Sequence, residues 1–119
     1  MQYLNLLGSH PGCAGLRLFA KSLFDALGVD HRDERESSNY VDGYYFKGSL
    51  ASMIFSVAGD DEDAHENVQY WIHISADLDT SETLEDAVSQ LIRDKLLPMG
   101  FQLTRIANFG KRNEQRIDY

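Results

Sequence analysis

The sequence holds few of the features that mark covalently braced, membrane-spanning or nucleic-acid-binding chains. One cysteine, Cys13, in 119 residues leaves no internal disulfide framework and fits a reducing cytoplasm. No apolar run approaches the roughly 20 residues that a membrane-spanning helix needs. The opening run Met-Gln-Tyr-Leu-Asn-Leu-Leu has no basic region ahead of its apolar part, so it does not read as a secretory signal. Positive charge is also scarce: 11 Lys and Arg stand against 19 Asp and Glu, a formal net charge of −8. The shortage is local. Between Asp25 and Asp94, 17 acidic residues face only Arg32, Arg35, Lys47 and Arg93. From Arg105 onward the sign reverses, with Arg105, Lys111, Arg112 and Arg116 against Glu114 and Asp118. An acidic body repels phosphate backbones, which disfavours nucleic acid as a partner. It steers basic proteins inward, and it equally serves solubility.

Several chemical signatures are incomplete. Cys13 lies near a helix start, three residues after His10, where a thiolate is favoured. A phosphatase loop would place Arg six positions after the cysteine, and Phe19 stands there. The run Gly8-Ser9-His10-Pro11-Gly12-Cys13-Ala14-Gly15 has the look of an anion cradle. It has neither the Gly-Lys-Ser/Thr end of a P-loop nor Gly-x-Gly-x-x-Gly spacing. Asp60, Asp61, Glu62, Asp63, His65 and Glu66 gather hard ligands, but a calcium loop begun at Asp61 would need Gly where Glu66 stands and Glu where Ile72 stands. No Ser-His-Asp order or metal-binding Cys/His spacing emerges, so no cofactor and no metal are expected.

What is present is a globular composition, 43% apolar and 25% charged, and clear periodicity. Gln2 to Leu7 reads as a first strand bounded by Gly8-Ser9. Ser9-His10-Pro11-Gly12 is turn chemistry. Leu16, Phe19, Ala20, Leu23 and Leu27 make one helical stripe, stopped by Gly28. Asp30 to Asn39 is a charged connection, extended near its end. Tyr40 to Ala76 then carries three successive antiparallel strands: one from Tyr40 with a bend at Gly43, one from Leu50 to Ala58 and one from Val68 to Ala76. Gly48-Ser49 reads as the hairpin turn between the first two. In the third strand Val68, Tyr70, Ile72, Ile74 and Ala76 alternate with Gln69, Trp71, His73 and Ser75, which assigns the first set to a core face. Ile54 interrupts the polar side of its strand, which therefore reads as central and partly covered on both faces. Asp79 and Glu82 match a capping box, and Leu84, Ala87, Val88, Leu91 and Lys95 continue as a helix ended by Pro98 and Gly100. Phe101 to Phe109 is a last strand whose apolar phase slips between Leu103 and Ile106. The expected fold is α+β, in the order β-α-β-β-β-α-β, a mainly antiparallel sheet with two helices packed on one face. Residues 1–109 form a single domain and 110–119 a polar tail, with Ile117 and Tyr119 as its anchoring residues.

Glu34-Arg35-Glu36-Ser37-Ser38-Asn39-Tyr40, followed by Gly43-Tyr44-Tyr45, combines residue types unusually. With the acidic α+β domain around it, the motif resembles small bacterial immunity proteins of contact-dependent inhibition and other polymorphic-toxin systems. That resemblance implies stoichiometric neutralisation of a toxin domain, often a basic nuclease, and carries no residue roles across. The expected partner-binding residues come from the acidic loop and the strand after it: Asp60, Asp61, Glu62, Asp63, Glu66, Trp71, His73, Asp77 and Asp79. Exposed aromatics anchor interfaces, while charge complementarity raises the on-rate. His73 with Asp77 or Asp79 also has the residue types of acid–base catalysis. Two rival readings are a small enzyme using Cys13 and His10, and a subunit that forms homodimers through an open sheet edge.

Overall fold

In the computed structural model, residues 2–12, 15–36, 44–50, 53–59, 70–77, 84–107 and 112–119 are described. They build one sheet of seven strands: β1 (Gln2–Ser9), β2 (His31–Glu36), β3 (Tyr44–Leu50), β4 (Met53–Gly59), β5 (Tyr70–Ala76), β6 (Gln102–Ala107) and β7 (Gln115–Asp118). Their spatial order is β2-β3-β4-β5-β1-β6-β7, and every pairing is antiparallel. β1 thus clasps a four-stranded meander on one side to the β6–β7 hairpin on the other. The α+β class and the β-α-β-β-β-α-β order stand as expected, and β2 and β7 extend that order at the two edges.

Helix α1 (Leu16–Leu27) buries Leu16, Phe19, Ala20, Leu23, Phe24 and Leu27. Its N-terminus has no side-chain cap of its own. The Tyr70 hydroxyl accepts instead from the Gly15 N–H at 2.8 Å, and the Tyr70 ring stacks on Phe19 at 4.5 Å. The helix ends as expected at Gly28, whose φ of 78° is left-handed. Gly28 N–H donates to the Asp25 carbonyl and Val29 N–H to the Phe24 carbonyl, the paired bonds of a Schellman stop. Val29, fully buried, completes it with apolar contact.

Helix α2 (Leu84–Leu91) runs on through a π-helical segment, Ile92–Leu96, and a 3-10 turn, Leu97–Met99, before Gly100. The buried positions are Leu84, Val88, Ile92 and Leu96. Lys95 is exposed, so Ile92, one turn after Val88, takes the inward place that the spacing had given to Lys95. The wider i→i−5 bond from Leu97 N–H to the Ile92 carbonyl falls just before Pro98, which has no N–H to continue the helical ladder. The α2 start is tied to β1, because Gln2 Oε1 accepts from the Leu84 N–H at 2.6 Å. Both helices therefore lie on one face of the sheet, over a core of Leu6, Phe55, Val57, Ile72, Ile74 and Leu103.

Two local expectations change. Gly48-Ser49 is not a turn: both residues lie inside β3 and pair with β2 and β4, and Leu50 opposite Met53 puts the connection after them. A Cβ on Gly48 would meet Val29 Cγ1 at 2.8 Å and Phe24 Cζ at 3.1 Å, so this glycine admits the end of α1 against the sheet. Secondly, residues 110–119 are not all tail, since β7 pairs with β6. Tyr119 N–H donates to the Leu103 carbonyl, and the Tyr119 hydroxyl meets Ser89 Oγ at 3.0 Å. The phase slip in β6 is real. Leu103 joins the core, Arg105 on the same face forms an ion pair with Glu85 of α2, and Ile106 turns to the other face.

Candidate functional site

The register of the sheet fixes what the face opposite the two described helices presents. Three rows of residues cross the strands. One runs His31, Ser49, Ile54, Ser75 and Tyr3. The next runs Asp33, Lys47, Ser56, His73, Asn5, Ile106 and Arg116. The third pairs Arg35 with Tyr45 at one edge, and farther along aligns Ala58, Trp71, Leu7, Thr104 and Asp118. The centre of this face is aromatic and polar, with charge toward its edges. Tyr3 is 62% exposed and Ile54 38%, whereas Leu7, Ala58 and Ile106 beside them are buried.

His73 sits at the middle of that centre. Its Nδ1 lies 2.8 Å from Asn5 Oδ1, and Tyr3 stacks on its ring at 5.6 Å. With the amide oxygen as acceptor, Nδ1 carries the proton and Nε2 keeps its lone pair. Burial pushes His73 below the ordinary imidazole value, because a partly desolvated ring resists charge. Its cross-strand neighbours are Asn5 and Ser56, neither of them a carboxylate. Asp77, four residues on, is roughly 13 Å along an extended chain. His73 and Asp77 therefore form no acid–base pair.

Trp71 and His73 thus share the open face that their alternation assigned to them, and Asp77 is exposed just past the end of β5. Asp60, Asp61, Glu62, Asp63, Glu66 and Asp79 lie outside the described residues, as do Cys13 and the calcium-like loop. His10 is described, and its role is structural. Nδ1 accepts from the Gly12 N–H at 2.9 Å and Nε2 meets the Met99 carbonyl at 2.8 Å, while the ring packs edge-on against Phe101 at 4.7 Å. Since a carbonyl only accepts, Nε2 donates, and no ring nitrogen is left to activate a thiol. Among the described residues, no group of three or more metal-ligating side chains comes together, and no helix is long and apolar enough to cross a membrane. The space between helices and sheet, lined by residues such as Leu23, Phe55 and Ile92, is only about 10 Å³, close to the minimum for one water.

Sequence reasoning missed Tyr3, Asn5, Lys47 and Ile54 as members of one surface. Alternation marks each as facing away from the core, but only the strand order brings β1 beside β5. No family model, curated protein or solved structure matches this chain. The functional reading therefore rests on the sheet geometry and on the charge of the sequence.

Proposed function

We propose that this chain is a stoichiometric protein-binding module that docks its partner on the open face of the sheet, and that its role is immunity: neutralisation of a toxin domain. The observation that supports this is the sheet face opposite the two described helices, with Tyr3, Ile54, Trp71 and His73 on adjacent strands at its centre. Large aromatic side chains held on rigid strands lose little entropy when covered, which suits them as anchors. The net charge of −8 favours a basic toxin. The acidic residues 60–66 and 77–79 flank β5 in the sequence, one set before Tyr70 and the other after Ala76. They would steer encounter, while the aromatic centre supplies affinity.

The test is co-purification with the product of the neighbouring open reading frame at low and high salt, followed by titration calorimetry of any complex. Tyr3→Ala and Ile54→Ala, both exposed, are expected to weaken binding by at least about tenfold each, as interface anchors do. Asp61→Lys with Asp63→Lys should slow association and flatten its salt dependence. Wild-type affinity in both face variants would move the interface elsewhere. Absence of any complex with a toxic neighbour would remove the immunity reading.

A further inference from the structure

The charge on the open face runs against that of the chain. On the rows described above, Arg35, Lys47 and Arg116 stand against Asp33 and Asp118, in a protein where acidic residues far outnumber basic ones. Two of these cations, with His31, border a depression of about 240 Å³ at the β2–β3–β4 corner. Its remaining lining is Asp33, Gly48, Ser49 and Ile54.

The pairing inside this corner leaves donors unused. Lys47 lies directly opposite Asp33 in the register, yet Asp33 pairs along its own strand with Arg35, at 3.6 Å. That separation is long for a charge-assisted hydrogen bond, which draws nitrogen and oxygen to about 2.7–2.9 Å, so the Arg35 fork keeps donors to give. Three other cations of the described chain are matched: Arg17 with Glu34, Arg32 with Asp25 and Arg105 with Glu85. Lys47 and His31 have no hydrogen-bond or ion-pair partner among the described residues. A free ammonium, a loosely paired guanidinium, an imidazole and the Ser49 hydroxyl thus converge on one hollow, beside the apolar flank of Ile54. The Asp33 carboxylate, already next to Arg35, repels an incoming anion less than an unpaired one would.

We infer that this corner is a binding site for a small oxyanion, a carboxylate or phosphate group carried on a short, partly apolar ligand, with Lys47 as its main counter-charge. Arg35 and Ser49 supply directional donors, and Ile54 contacts the stem. The hollow lies below the roughly 300–1,000 Å³ of pockets for drug-sized ligands, which limits the occupant to a small group. The site does not depend on the protein partner proposed above.

The test is an amide ¹H–¹⁵N titration of the full chain with sodium acetate and, separately, inorganic phosphate, each against sodium chloride at matched ionic strength and constant pH. Saturable shifts are expected at residues 31–35, 47–49 and 54 with acetate or phosphate and not with chloride. The tighter of the two anions identifies the ligand class. Lys47→Gln should weaken that binding at least tenfold, whereas Lys21→Gln, on the exposed side of α1, should leave it unchanged. Lys47 points away from the core, so its variant keeps the fold, which the rest of the spectrum verifies. Equal responses to chloride, no saturation, or an unaltered response in Lys47→Gln would each overturn the site.

Discussion

His10 joins two parts of the chain that are far apart in sequence, the turn after β1 and the end of the second helical segment. Each of its bonds to Gly12 and Met99 is of a kind worth about 1 kcal/mol net. His10→Ala should therefore lower unfolding free energy by about 1–3 kcal/mol once the Phe101 ring contact is also lost. His10→Phe, which retains a ring, should lose less. Urea denaturation of the two variants separates bond from ring, and an unchanged midpoint in both would show that the tie contributes nothing. The same residue shows how a sequence misleads at this scale. His10 and Cys13, three apart, share the residue types of a catalytic pair, but the imidazole's partners are backbone groups, one of them 89 positions away. Backbone acceptors carry no signature in the sequence.

At the scale of elements, strand β3 is shaped by the end of α1. Phe24 and Val29 rest where the Gly48 side chain would be, so Gly48→Ala must push one of them aside. A loss of about 1–3 kcal/mol is expected, as for other overpacked cores, read as a lower denaturation midpoint. Wild-type stability would mean that the helix end shifts freely. Glycine within a strand and glycine in a turn look alike in sequence; the arbiter is a helix packed above it, which is a tertiary fact. Elements with one buried face were legible for the converse reason. α1 and β5 bury every third or fourth and every second residue, and the core enforces that period. β2 and β7 escaped because all their residues are exposed. In β2 charges occupy the positions where apolar residues would have revealed the period: Arg32 reaches Asp25, and Glu34 reaches Arg17. Such charged edges also resist pairing with other sheets, which counts against the edge-to-edge homodimer. The aromatic part of the candidate site was half visible. Trp71 and His73 follow from alternation, while Tyr3 and Asn5 needed the pairing of β1 with β5.

For the whole molecule, the described charges of the two signs are nearly matched on each face. The helix-bearing side sets Asp25, Glu34, Glu85 and Asp94 against Arg32, Arg17, Arg105 and Lys95, and the open side, equally mixed, holds a titratable group at its centre. His73 is kept below its ordinary value by burial. The folded chain thus binds fewer protons than the unfolded chain as pH falls through the ordinary histidine range. Its contribution to stability is intact above that range and declines below it. Urea titrations from about pH 8 to pH 5 should show wild type losing stability relative to His73→Gln as the solution becomes more acidic. A difference that stays flat or grows the other way would contradict the burial of the ring.

The position of β1 has a consequence for how the sheet is made. β1 precedes its neighbours in the chain, yet it is clasped between β5 and β6, whose residues are synthesised much later. The β3–β4 hairpin can close locally, while β1 must bridge a long loop before any contact rewards it. Until it docks, β5 presents an unpaired row of backbone donors and acceptors, the complement of residues 2–8 of any copy of the chain. In crowded synthesis that vacancy selects between two ends: capture of the chain's own first strand, or exchange of that strand with a neighbour.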